Sequence, residues 1–194
     1  MTDEELVAAF KAGDIEALGA LMERHRAPVY GYLLRLTGRR EAADDLFQEV
    51  FLKLVRGPGS YDERQKFRSW LFTVARNAAM DHFRRETARR SVWAAESDLE
   101  APAGGEEGDS PRGPLERAAG PEPGPQQELE NRERGAKIAA ALAKLSEDQR
   151  EVFYLRHYSE LSFREIAEML GLPIGTVLAR MSRAAALLRR ELGE

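Results

Sequence analysis

Apolar residues recur along both ends of the chain at intervals of three and four, the spacing of one face of an α-helix. The clearest stripe lies within residues 67–90 and contains Phe67, Trp70, Leu71, Val74 and Ala78. No stretch alternates between apolar and polar residues with the period of two that marks a strand. The pattern therefore predicts an all-α protein.

Caps and helix breakers mark the helix boundaries in the N-terminal part. Thr2 and Glu5, three residues apart, form a capping box that opens the first helix. Pro28 interrupts or restarts the second helix, and Gly38 ends the apolar segment after the proline. A loop is predicted at residues 57–60, where glycine and proline cluster. The predicted helices lie at residues 3–11, 15–26, 29–36, 41–55 and 67–90.

The C-terminal part contains two further capping boxes, at residues 146–149 and 162–165. Gly171 suits the left-handed position that ends a helix, and Pro173 comes two residues later. The predicted helices lie at residues 137–145, 147–157, 163–170 and 175–191.

Residues 162–183 have the spacing of a helix-turn-helix that binds DNA. Ala167 lets two helices cross closely, Gly171 supplies the turn, and Val177 points back at the first helix. The shared core is predicted to contain Ile166, Leu170, Leu172, Val177 and Met181. The opposite face of the second helix is predicted to show Thr176, Ala179, Arg180 and Arg183. Four arginines and no acid lie within 174–190, as phosphate binding requires, although a plain helical hairpin with solvated arginines is the alternative.

A segment rich in helix breakers separates the two parts. Residues 101–125 contain six prolines and six glycines, and Leu115 is their only large aliphatic residue. Such a segment cannot bury enough apolar surface to offset the entropy lost on ordering. We therefore predict a flexible linker. The predicted divisions are a domain at 1–91, the linker at 92–135 and a second domain at 136–194.

The formal net charge of −4 is distributed unevenly. Residues 1–90 hold 16 basic and 14 acidic side chains, and residues 136–194 hold nine and eight. Residues 91–135 hold four and eleven, so the excess acid lies in the linker. The overall acidity is therefore no argument against a polyanionic partner for either end.

The composition removes several classes of site. The chain has no cysteine, so it has no disulfide, thiolate zinc site or cysteine nucleophile. Its three histidines, His25, His82 and His157, are scattered, and no metal, nucleophile or phosphate-loop motif accompanies them. No stretch approaches the roughly 18–20 apolar residues of a membrane span, and the first residues are acidic where a signal peptide is basic. We expect a soluble, cytoplasmic, non-enzymatic protein with no metal, cofactor or small-molecule substrate.

Basic and aromatic side chains are interleaved in residues 64–90, which hold eight basic residues against two acids. Rings that stack on bases, beside arginines that follow phosphates, suit single-stranded nucleic acid. Trp70 lies on the apolar stripe, so the core is its expected place. Phe72 and Asn77 lie off the stripe, which makes Phe72 a better stacking candidate and lets Asn77 contact a base edge or a phosphate.

The preceding helix has the opposite charge. Its acidic face contains Glu41, Asp44, Asp45, Gln48 and Glu49. One interpretation is an ordinary solvated helix face. The other is a protein-binding surface beside a DNA-binding helix.

Three motifs in this order resemble regions of bacterial sigma factors. Residues 43–51, with the sequence Ala-Asp-Asp-Leu-Phe-Gln-Glu-Val-Phe, resemble region 2.2. Residues 67–77 together with 81–85 resemble regions 2.3 and 2.4, and residues 145–177 resemble region 4. The short, two-domain length is similar to that of the extracytoplasmic-function (ECF, group 4) subfamily.

The resemblance implies a subunit that binds core RNA polymerase and directs promoter-specific initiation. The β′ clamp helices would contact Asp44, Asp45, Gln48 and Glu49. The −10 element, including a base flipped out of the melted non-template strand, would contact Ser60, Tyr61, Lys66, Phe72, Arg76, Asn77, Arg84 and Arg85. The duplex −35 element would contact Arg164, Thr176, Ala179, Arg180 and Arg183. The same domain would touch the β flap, the linker would thread the polymerase cleft, and an anti-sigma factor is a further implied partner.

One departure from the family pattern concerns the last helix. Leu178-Ala179 stand where members often carry a basic or polar pair, and the Leu178 side chain cannot hydrogen-bond a base. A stand-alone helix-turn-helix regulator, whose N-terminal part senses or dimerises, is the rival interpretation. An enzyme is a third, which no catalytic motif supports.

Overall fold

The computed structural model describes residues 1–56, 61, 66–96 and 125–193. These residues form eight α-helices and no strand, so the predicted all-α class is confirmed. The helices are α1 (Asp3–Lys11), α2 (Ile15–Thr37), α3 (Arg40–Arg56), α4 (Phe67–Glu96), α5 (Pro125–Ala143), α6 (Glu147–Ser159), α7 (Phe163–Leu170) and α8 (Ile174–Leu192). The chain divides into two compact units, Met1–Pro111 and Arg112–Glu194. None of these eight helices is long and apolar enough to span a bilayer.

Helices α1 to α4 pack into a bundle in the N-terminal unit. Helix α2 contacts α1, α3 and α4 and so lies at the centre of the bundle. The capping box of α1 is confirmed, because the Glu5 amide donates to Thr2 Oγ1 at 3.2 Å and the Thr2 amide donates to Glu5 Oε2 at 2.8 Å. The largest fully buried side chains here include Tyr32, Phe67, Phe72, Leu21, Leu33, Leu54 and Leu71. Burial of each contributes about 1.5–3 kcal/mol, which makes this core the main source of stability.

Helix α2 continues without interruption through Pro28. The prediction of two helices separated at this residue is therefore wrong. A proline inside a helix costs about 3 kcal/mol, but the neighbouring His25, Val29 and Tyr32 are all fully buried. Their burial offsets the lost backbone hydrogen bond. Gly38 ends the helix with a left-handed φ of 66°, as predicted.

His25 is a titratable side chain buried where α1 meets α2. Its Nε2 lies 2.8 Å from Asp3 Oδ2, and Arg24 Nη1 donates to the other oxygen of that carboxylate at 2.6 Å. Burial lowers the pKa of His25, Asp3 opposes this effect, and the positive charges of Arg68 and Arg24 add to it. The ring is thus held neutral and joins two helices, which is a structural role.

Helices α5 to α8 form the C-terminal unit. Both predicted capping boxes are confirmed, at the N-termini of α6 and α7. Gly171 ends α7 with a left-handed φ of 65°, as the turn requires. Ile166, Ala167 and Val177 are buried between α7 and α8. Leu170, Leu172 and Met181, which were also predicted in this core, are only half-buried.

Helix α5 begins at Pro125, well before the predicted residue 137. Its first residues carry no apolar stripe, so hydrophobic periodicity gives no signal there. They are instead rich in Gln, Glu and Arg, which favour helices intrinsically, and proline is well tolerated in the first helical turn.

The far end of the helix is joined to α8. Lys144 Nζ donates to Glu191 Oε2 at 2.5 Å, and this bond lowers the pKa of Glu191.

Candidate polymerase-binding and DNA-binding surfaces

The acidic face lies on α3, and one of its members is already paired. Glu49 Oε1 lies 2.9 Å from Lys53 Nζ, one turn further along the same helix. Glu49 Oε2 lies 3.7 Å from a guanidinium nitrogen of Arg85 on α4. The acidic face and the basic helix predicted from the sequence are therefore adjacent in space.

The other members of the acidic face are exposed, and one of them has a contact of its own. Asp44 is close enough to Tyr30 to hydrogen-bond its phenol, and this contact adds to burial in raising the pKa of Tyr30. Asp45 and Gln48 are exposed. Glu41 and Asp44 are exposed as well, so a partner that approaches α3 meets a row of acidic side chains.

Two exposed apolar side chains extend the acidic face toward the C-terminus of α3. Leu52 is 48% exposed and Val55 is 45% exposed. With Asp45 and Gln48 they follow helical spacing, so the four side chains share one side of α3. Neither apolar residue was predicted from the sequence to belong to this surface. Their position outside the buried stripe of Leu46, Val50 and Leu54 is the signal that could have identified them.

Helix α4 presents the predicted basic residues along its exposed side. Asn77 and Arg84 are both exposed and lie seven residues apart, so they share one face two turns apart. Arg84 Nη1 donates to Asp81 Oδ1 at 2.9 Å, and Arg85 Nε donates to the Asp81 carbonyl at 3.2 Å. Arg76 is half-buried on the flank of this face.

Two of the residues predicted to contact the −10 element are core residues. The prediction that Phe72 stacks on a base is wrong, because its side chain is 0% exposed and its ring packs 5.5 Å from that of Tyr32. Helix α4 packs against α1, α2 and α3, so its buried arc is wider than one stripe and includes Phe72. Trp70 is buried, as expected.

Tyr61, the other core residue among the predicted −10 contacts, is covered by its surroundings. It is only 3% exposed. Its ring lies 5.8 Å from Phe67 and 5.9 Å from Trp70, with Lys11 Nζ 5.5 Å from its centre. Tyr61 therefore packs against the first turn of α4. Lys66 is exposed just before α4, and the predicted contact Ser60 lies outside the described residues.

Helix α8 is oriented by its buried side chains. Val177 and Ala184, seven residues apart, are fully buried and point toward the other helices of the unit. Arg183 is exposed, and Thr176 and Ala179 are half-buried on the same side of the helix. Arg164 is exposed on α7. Four of the five predicted −35 contacts thus remain accessible to DNA.

Arg180 differs from the other predicted −35 contacts. It lies between Val177 and Ala184 along the helix, so it is on the flank facing α6 rather than on the opposite face. Its Nη2 donates to Asp148 Oδ2 of α6 at 2.5 Å. The Arg180 side chain is 20% exposed and that of Asp148 is 63% exposed. The assignment of Arg180 to the outer face is therefore corrected.

The turn between α7 and α8 forms a concave surface open to solvent. It is lined by Arg164, Glu168, Gly171 and Ile174, among others. Within the described part of the chain, no group of three or more His, Asp or Glu side chains is arranged to hold a metal ion. What the geometry offers is a set of charged and apolar surfaces suited to binding macromolecules.

Comparison with known families gives matches to both units. The family models Sigma-70 region 2 and Sigma-70, region 4 match residues 21–89 and 135–188. The first range contains the acidic face and the exposed face of α4, and the second contains the helix-turn-helix. The RNA polymerase sigma factor CnrH of Cupriavidus metallidurans is 33% identical over 189 residues, which cover 96% of this chain and 92% of that protein. The ECF RNA polymerase sigma factor SigL of Mycobacterium tuberculosis is 32% identical over 189 residues, 97% of this chain and 96% of that protein.

Solved structures of two sigma factors share the fold. CnrH in complex with the cytosolic domain of CnrY aligns with a TM-score of 0.66 at 24% identity, over 98% of this chain and 97% of that chain. Sigma factor RpoE of Bartonella quintana, in complex with the anti-sigma factor NepR, aligns with a TM-score of 0.57 at 24% identity, over 95% and 97% of the two chains. With both family models in the expected order and relatives above 30% identity over nearly the whole length, the chain belongs to the ECF RNA polymerase sigma factors, which bind RNA polymerase and promoter DNA to direct transcription initiation.

Proposed function

We propose that this sigma factor binds core RNA polymerase through α3, the −10 element through α4 and the −35 element through α8. The observation that carries this division is the separation of charge within the N-terminal unit. Helix α3 exposes acidic and apolar side chains, and α4 exposes arginines. Since phosphates repel carboxylates and attract guanidinium groups, the two helices suit different macromolecules.

The proposed polymerase contact is centred on Asp45 and Gln48, with Leu52 and Val55 beside them. Protein interfaces commonly combine an apolar centre with a polar rim, and this stripe has both. The resemblance to region 2.2 assigns the surface to the β′ clamp helices. Asp44 and Glu49 lie at its edge, where their existing partners compete with polymerase.

The proposed −10 contact is centred on Asn77 and Arg84. Their separation of seven residues spans about 10 Å along the helix axis, so the two side chains can contact different nucleotides of one strand. Arg76 and Arg85 flank this face, and Lys66 precedes it. Single strands are bound in this way when cations follow the phosphates and polar groups contact the bases.

The proposed −35 contact uses the first turns of α8, where the recognition helix of a helix-turn-helix reaches base edges. Thr176 and Ala179 lie in these turns, and Arg164 and Arg183 flank them with exposed positive charge. Arg180 contacts DNA only after its ion pair with Asp148 breaks.

Regulation and localisation are proposed from the family. CnrH and RpoE, the two structural relatives, are each in complex with another protein, and the partner of RpoE is an anti-sigma factor. We propose that an anti-sigma factor likewise binds this chain, that the chain acts in the cytoplasm, and that it acts by binding alone, without catalysis. The stand-alone regulator is set aside, since the N-terminal part that it would use for sensing or dimerisation matches the Sigma-70 region 2 model.

The test is transcription in vitro with core RNA polymerase on a promoter library, using the full chain. We expect specific initiation with the native chain. With Asp45→Arg we expect the affinity for core polymerase to fall at least about tenfold, because the interface would repel the positive charge of the arginine. Glu23→Arg is the matched control, since Glu23 is an exposed acid of α2 outside the acidic face. Equal binding by the two variants would remove α3 from the polymerase interface.

A further inference from the structure

Helix α8 exposes an apolar side chain near its N-terminal end. Leu178 is 44% exposed. It directly succeeds the buried Val177, so it points about 100° away from the core around the helix. Close to half of this leucine is therefore left open to a partner outside the described part of the C-terminal unit.

The surroundings of Leu178 are small, which allows close approach from outside. Gly175, Ala179 and Ser182 lie on the outward side of the first turns of α8. A Cβ atom added at Gly175 would meet nothing within 4 Å, and the glycine has no left-handed φ that would require it. Gly175 therefore leaves open space beside the backbone, which a partner can approach closely.

The charges around this surface identify DNA as the occupant. Arg183 is exposed one turn beyond Ala179, and Arg164 of α7 is exposed near the start of α8. Residues 174–190 contain no acid. A protein that bound only the Leu178 side chain would not need positive charge around it. A DNA phosphate backbone does need this charge, because basic side chains neutralise the phosphates.

Base pairs present one apolar group in the major groove that a leucine side chain can contact. Each base pair presents hydrogen-bond donors and acceptors there, and thymine adds its C5 methyl group. Leucine can form no hydrogen bond with a base edge, so its favourable contact is with that methyl group. We propose that Leu178 packs against the methyl group of one thymine in the −35 element and thereby selects thymine at that position. This inference rests on the proposed role of α8 in binding the −35 element.

The test uses holoenzyme, the full chain with core polymerase, and promoter duplexes in which each −35 thymine of either strand is replaced in turn by deoxyuridine. Deoxyuridine lacks only the methyl group. We expect one replacement to weaken binding about three- to fivefold, the effect of losing one buried methyl contact. Leu178→Ala should lose a similar factor on the native promoter and should not respond to that replacement. Leu192→Ala is the matched control, an exposed leucine at the far end of the same helix.

The outcomes separate this inference from the proposed function. If holoenzyme distinguishes a native from a scrambled −35 element but tolerates every deoxyuridine, the methyl contact is overturned and the role of α8 stands. The methyl contact is also overturned if Leu178→Ala keeps the native response to deoxyuridine, or if it weakens binding to core polymerase without DNA. If scrambling the −35 element has no effect, the proposed role of α8 fails first.

Discussion

Replacing Phe72 with alanine should strongly destabilise the N-terminal unit, because its side chain is part of the core. The ring is fully buried and pairs edge-on with Tyr32 at 5.5 Å. Truncation of a buried phenylalanine to alanine costs about 3–5 kcal/mol. An aromatic pair adds about 0.5–1.5 kcal/mol beyond burial, which places this site toward the upper end. Since the stability of a domain is about 5–15 kcal/mol, the variant should lose a third or more of it.

Urea unfolding monitored by tryptophan fluorescence measures this loss in the intact chain. Both tryptophans, Trp70 and Trp93, belong to the N-terminal unit, so the signal reports that unit alone. With a denaturant dependence of about 1–3 kcal/mol per molar urea, the midpoint should fall by more than about 1 M. Phe83→Ala is the matched control, because Phe83 is a half-buried phenylalanine on the same helix. It should cost roughly 1–2 kcal/mol, since only part of its ring is removed from water.

A second variant distinguishes the core role of Phe72 from a role in DNA binding. Phe72→Leu keeps an apolar side chain of similar size, and we expect it to cost less than about 1.5 kcal/mol and to open promoters normally. Promoter opening would be measured with holoenzyme at a temperature where the variant is folded. The reasoning is refuted if Phe72→Ala unfolds at the native midpoint while Phe72→Leu fails to open promoters, since that pair of results describes a surface ring that stacks on a base.

Two further predictions concern ion pairs. Asp148→Asn should strengthen binding of the holoenzyme to the −35 element about two- to fivefold, because it releases Arg180 from a partly exposed ion pair. Glu147→Gln is the control. Equal effects of the two variants would contradict the release of Arg180. The N-terminal unit should lose stability as the pH falls below 6.5, because the unfolded chain then binds a proton that buried His25, with its lowered pKa, resists. The urea midpoint should therefore fall between about pH 7.5 and about pH 5.5, and an equal fall in His25→Asn would assign it to other groups.

Local signals in the sequence identified most of the helix boundaries. The three capping boxes and the glycine turn at Gly171 are satisfied by neighbouring residues, so tertiary structure adds little to them. The N-terminus of α7 and the turn after it were predicted correctly for this reason. The predicted linker edges lack such signals, and α5 begins within a segment that has helix propensity but no apolar stripe.

The errors at individual site residues have a common cause. A helical wheel assigns one buried side to a helix, but α4 packs against three others and buries Phe72 as well as the stripe. Arg180 was placed on the outer face of α8 together with Ala179 and Arg183. The orientation of α8 instead depends on Val177 and Ala184, and only the packed structure shows that Ala184 is buried. Pro28 was given too much weight because its fully buried neighbours were unknown.

The contacts of Glu49 limit how the N-terminal unit can be dissected by mutation. Its carboxylate lies within 4 Å of Lys53 on its own helix and of Arg85 on the helix assigned to DNA. Residues that share a partner do not have additive effects on free energy. A change at Glu49 therefore alters the electrostatic environment of Arg85 even when no polymerase is present. If such a variant fails to open promoters, that defect is not evidence of weak polymerase binding. Asp45 and Gln48 lie outside this triad, so we expect substitutions there to separate the two proposed activities more cleanly.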